Sequence, residues 1–130
     1  MTDELDEETI AFAHRTFELA RNGATGELGA LIDAGLPPNL TNDSGDTLLI
    51  LAAYHRHPAT VRLLVRRGAD LARVNDRGQT ALGAAVFRSS TESVRALLDA
   101  GADPALGSPS AQEVATFFEL PEMSALLQGR

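Results

Sequence analysis

The sequence predicts an all-α fold, a solenoid of about four helix-turn-helix units, and two observations carry that prediction. The first is a recurrence: residues 43–75 align on 76–108 without a gap, an offset of 33 residues. Gly45 falls on Gly78, Thr47 on Thr80, Leu49 on Leu82, Ala52 on Ala85, Val61 on Val94, and Gly68-Ala69-Asp70 on Gly101-Ala102-Asp103. A fixed period of this size marks stacked supersecondary units. The second is that each unit holds two short apolar runs of helical spacing. One is greasy nearly all round, as a helix sandwiched between neighbours must be, and the other is amphipathic.

The elements follow in chain order. Residues before Gly23 form a long helical pattern that puts Ile10, Ala13, Phe17 and Ala20 inward. The acids Asp3, Glu4, Asp6, Glu7 and Glu8 suit its positive start. A looser copy of the unit comes next, with Leu28, Leu31 and Gly35 under Val61, Leu64 and Gly68. In the first central unit a tight turn asks for positive φ at Gly45. Thr47 then caps a helix running to about Tyr54. His57 and Pro58 read as a cap and a first-turn proline for a second helix. That helix turns Val61, Leu64 and Val65 inward and Arg62, Arg66 and Arg67 to water.

The next unit repeats this plan with Gly78 and Thr80, and Ser89-Ser90-Thr91-Glu92 offers a capping box. Gly68 and Gly101 close the second helices. After Ser108 the frame slips by a few residues, although Ala115 and Ala125-Leu126-Leu127 still echo helical positions. The expected organisation is one domain: an acidic helix and capping repeat over 1–42, repeats over 43–75 and 76–108, and a truncated cap over 109–130.

These residues resemble the ankyrin repeat family, whose units read approximately Asp-x-x-Gly-x-Thr-Pro-Leu-His-x-Ala-Ala, then Gly-His, a Val-x-x-Leu-Leu helix and Gly-Ala-Asp. The resemblance implies two near-consensus central repeats between divergent caps. The proline and histidine of the signature are replaced by Leu48 and Ile50 in one unit and by Ala81 and Gly83 in the next. The inter-repeat hydrogen bond of that histidine is therefore expected to be missing, with some loss of stability.

Composition narrows the function. The chain has 130 residues, 44% of them hydrophobic, enough for one core without staples, and no cysteine for disulfides or thiolate chemistry. Its net charge is −7, which disfavours nucleic acid and anionic membranes and favours a partner with a basic patch. No apolar run approaches the length of a membrane span, and a cytoplasmic, soluble protein is expected. His14, His55 and His57 have no carboxylate at metal-site spacing, and no phosphate loop or nucleophile elbow is present. Neither an enzyme nor a bound cofactor is expected.

The resemblance instead implies protein binding through a concave surface of turn tips and inner-helix ends. Those slots hold Arg21 and Asn22 in the first unit, then Asp43, Ser44, Asp46, Tyr54 and His55, and then Asp76, Arg77, Gln79, Phe87 and Arg88. Tyr54 and Phe87 should stand side by side, either as interface anchors or simply packed on neighbouring helix ends. Arg56, Arg62, Arg66, Arg67 and Arg73 read as a solvated outer face. Two alternatives stay open: an immunity or antitoxin-type inhibitor of one enzyme, and an enzyme or metal protein. A monomer is expected, with association through Phe117 and Phe118 as the other possibility.

Overall fold

The computed structural model describes the backbone of residues 2–129 and the side chains of residues 7–129. Eight helices lie among the described residues: α1 (Thr2–Asn22), α2 (Thr25–Asp33), α3 (Leu48–Tyr54), α4 (Pro58–Arg66), α5 (Ala81–Phe87), α6 (Thr91–Asp99), α7 (Ala111–Phe117) and α8 (Pro121–Gln128). Consecutive helices pair, and the pairs stack in chain order. An inner row α1-α3-α5-α7 and an outer row α2-α4-α6-α8 result. Of the acids expected to suit the start of α1, the side chains of Asp3, Glu4 and Asp6 lie outside the described residues; Glu7 and Glu8 are exposed.

The inner helices are held by their first turns. Thr47 and Thr80 accept the amides of Ile50 and Gly83 through their hydroxyls, both at 3.0 Å. Six of the seven residues of α3, Leu48 to Ala53, are buried, and so are Ala81 to Val86 of α5. Helices of two turns are marginal alone in water, so each exists because its neighbours cover it. Val61, Leu64, Val94 and Leu97 of the outer row close the core from the other side, while Val65 is only half-buried.

Two local expectations change, and a third gains a size. Ile10 is 54% exposed rather than inward. The reason is length: α1 has 21 residues and α3 only seven, so α3 covers the later part of α1, where Thr16, Phe17 and Ala20 are buried. The capping box at Ser89 to Glu92 does not form, because Ser89 takes φ 53° and the cap falls on Ser90, one residue late for Glu92. A complete box stands instead at Ser110, whose hydroxyl accepts from the Glu113 amide at 3.1 Å while Glu113 accepts from the Ser110 amide at 2.8 Å. The frame slip is a deletion of three positions: α5 begins 33 residues after α3, and α7 only 30 after α5.

Other hydrogen bonds join the units. His57 donates from Nε2 to the carbonyl oxygen of Arg21 at 2.7 Å, tying the second pair to the first. At the turn tips the Asp76 amide donates to the Ser44 carbonyl, and the Ser108 amide to the Gly78 carbonyl, both at 2.9 Å.

Candidate functional site

The turn tips and the C-terminal ends of the inner helices lie along one side of the stack, and most of the candidate residues line two clefts there. Each tip is built by an asparagine. Asn42 Oδ1 accepts the amides of Ser44 and Asp46, and Asn75 Oδ1 those of Arg77 and Gln79, all at 2.9 Å. An Asx side chain mimicking a backbone acceptor in this way fixes a reversal. Gly45 and Gly78 complete it at φ 76° and 79°. A side chain at Gly78 would also run into the carbonyl of Ser108 in the next unit, so the tips must pass one another closely.

Asn75 is also the joint between tips. It is 5% exposed, and its Nδ2 donates to Asp46 Oδ1 at 2.8 Å and to Gln79 Oε1 at 3.0 Å. Asp46 is consequently not a solvated tip residue: at 7% exposure its carboxylate is committed within the stack. Asp43, Ser44, Asp76 and Arg77 are exposed at the tips, and Asn22 is exposed at the end of α1.

At the helix ends, the rings of Tyr54 and Phe87 stack with centroids 6.2 Å apart and 13° between planes. Phe118 continues the row, edge-on to Phe87 at 5.2 Å, and Phe117 stands against it at 4.9 Å with 77% of its surface exposed. Arg88 lies 5.0 Å over the Tyr54 ring and donates to the Tyr54 carbonyl at 3.0 Å. Tyr54 is thus half-buried between neighbours, while Phe87 keeps 39% of its surface open. The rings pack on adjacent helix ends and still leave part of their aromatic surface open.

The first cleft, about 490 Å³, lies between α1 and the first tip, among Ile10, His14, Phe17, Glu18 and Asp43. The second, about 470 Å³, is floored by Ile50 and Leu51, walled by Tyr54 and Phe87, and flanked by Arg21, His55 and Arg77. Arg21 borders both and pairs with Glu18 at 2.7 Å. Burial holds the pKa of His55 below its ordinary value, and the charges of Arg21, Arg88 and His57 push the same way against a weaker pull from Glu18. Among the described residues no group of three His, Asp or Glu side chains is placed to hold a metal, and no helix is long and apolar enough to cross a membrane.

Two contributors were not assigned to this site from the sequence. Asn75 was legible, since Asn42 and Asn75 recur at the same offset as the glycines. Phe118 was not, because it takes the cap position held by His55 and Arg88 in the earlier units, while Phe117 is the equivalent of Tyr54 and Phe87.

A row of stacked helical pairs with hydrogen-bonded tips along one side defines a helical repeat solenoid. The chain belongs to the ankyrin repeat family: the family model for ankyrin repeats, in three copies, matches residues 17–107. An ankyrin repeat protein of Pseudomonas aeruginosa is 55% identical over 67 residues, which are 48% of this chain and 39% of that protein. The crystal structure of the human ASB11 ankyrin repeat domain superposes with a TM-score of 0.79 at 28% identity, over 88% of this chain and 52% of that one. The chain therefore spans about half or less of these relatives.

Proposed function

We propose that this is a non-enzymatic recognition module that binds a protein partner through the concave side, using Arg21, Asn22, Asp43, Ser44, Tyr54, His55, Asp76, Arg77, Gln79, Phe87 and Arg88. Ankyrin repeats are in general protein-binding modules. One observation carries the assignment of the surface. Among the described residues every exposed phenylalanine, Phe12, Phe87, Phe117 and Phe118, sits on an inner-row helix or its cap, and none on the outer row. Aromatic side chains beside arginines are the usual energetic anchors of interfaces, and a groove already set by packing loses little entropy on binding.

The net charge and the exposed Asp43 and Asp76 support a partner with a basic patch that is steered toward the tips. The working compartment fits the cytoplasm, in keeping with a cysteine-free chain. We take residues 1–130 as a single domain, divided at 42, 75 and 108.

The test is affinity capture with paired variants. Tyr54→Ala with Phe87→Ala should weaken capture of the partner by about tenfold or more while helicity is kept. Arg62→Ala with Arg66→Ala on the outer row should leave capture intact. Equal capture by the aromatic variant, or loss only in the outer-row variant, would move the interface elsewhere.

A further inference from the structure

Resting on that reading of the groove, we propose that the cleft between Tyr54, Phe87 and the second turn tip receives an acidic side chain of the partner, with an apolar or aromatic residue beside it. The argument is one of unspent charge. The chain as a whole is strongly acidic at −7, yet the charges around this cleft are mostly cationic. The guanidinium of Arg77 has no carboxylate within ion-pair distance among the described residues, and its bond to Gln79 Oε1 is long, at 3.3 Å. Arg88 is held over the Tyr54 ring.

Two neighbouring carboxylates are already engaged within the chain, while Asp43 and Asp76 are exposed at the tips. Glu18 is taken by Arg21 at 2.7 Å, and Asp46 is buried against Asn75. Burial first, and then the charges of Arg21, Arg88 and His57, hold the His55 imidazole toward its neutral form, so it adds no counter-charge here.

Each feature selects the same occupant. A planar guanidinium with free N–H groups matches a carboxylate bidentately. The two stacked rings and the floor of Ile50 and Leu51 accept an apolar neighbour on the same segment. A cationic side chain would meet Arg21 and Arg77 without a spare counter-charge. A polyanion would be repelled by the overall charge and by Asp43 and Asp76 on the tips. The two scales of charge do not conflict: the acidic surface steers a basic patch from a distance, and the cleft reads one acid at contact.

The experiment is an NMR titration of the isotope-labelled full chain with three capped tetrapeptides: acetyl-Gly-Glu-Phe-Gly-amide and its Gln and Arg counterparts. The Glu peptide should shift the amides of Tyr54, His55 and Arg77 saturably and bind about fivefold more tightly than the Gln peptide, with the Arg peptide weakest. Arg77→Gln, an exposed change that leaves the fold intact, should abolish the difference. Equal binding of the Glu and Gln peptides, preference for the Arg peptide, shifts confined to other surfaces, or no saturable shift with the Glu peptide overturns the proposal. If the acid preference is absent while Tyr54→Ala with Phe87→Ala still loses the captured partner, only this inference falls. If that variant captures the partner normally, the groove reading itself falls.

Discussion

The inner and outer sides of this stack use the same polar residue types to opposite ends. On the outer row, Arg67 meets Asp33 through two bonds of 2.8 and 3.2 Å, and in the loop after α4 Arg73 meets Asp70 at 3.3 Å, all of them exposed. Such pairs are screened by water and contribute little to stability. On the inner side, Asn75 and Asp46 bond across units with almost no solvent contact, and His57 and Arg88 donate to backbone carbonyls of the preceding unit. The outer polar groups keep the chain hydrated, whereas the inner ones fix how one repeat sits on the next. Geometry of the groove therefore depends on a few buried bonds at the tips rather than on the many charges outside.

The largest effect should come from crowding a tip. Gly78→Ala forces a β-carbon into a left-handed backbone and against the Ser108 carbonyl. It should cost about 3 kcal/mol, read as a shift of the urea midpoint, if the inner side governs the stack. Asn75→Ala comes next. It strips four hydrogen bonds, one of them to the buried Asp46, and should cost about 2 kcal/mol. Arg67→Ala, the outer-side control, should leave the midpoint unchanged, and a comparable loss there would erase the contrast.

A smaller change should have the opposite sign. Arg56, Ser89 and Glu119 occupy equivalent positions after inner helices with φ of 64°, 53° and 52°, where the first unit has Gly23 at 72°. The conformation is strained for a residue with a β-carbon. Arg56→Gly should thus stabilise by about 1 kcal/mol, detectable as a raised Tm.

The pH dependence is subtler still. His55 titrates below its ordinary 6.5 in the folded chain, so the unfolded chain binds its proton first as pH falls. Stability from this group is intact above pH 6.5 and declines below it, until the folded form is protonated as well. His55→Gln should flatten that slope in denaturation midpoints taken between pH 7 and 5.

How much of this was readable beforehand follows the same division. The repeat, the threonine caps and the juxtaposition of Tyr54 with Phe87 were legible because they recur at a constant spacing, and spacing survives in one dimension. Residues that act across units were harder. Asp46 looks like a tip acid until the next tip brings Asn75 to it, and Ile10 matches an inward pattern until the short length of α3 leaves it uncovered. Phe118 joins the aromatic row from a cap position that holds His55 and Arg88 in the earlier units, so aligning Tyr54 with Phe87 does not point to it.

The central claim is that the two-turn inner helices exist only while sandwiched, so the middle of the stack should be its most stable part. Amide hydrogen exchange on the free protein measures this directly. The account predicts that α3 and α5 exchange slowest and open together, with the exposed early turns of α1 and the end helix α8 exchanging first. Fast exchange in α3 and α5 beside protected ends, or four pairs opening independently, would contradict it.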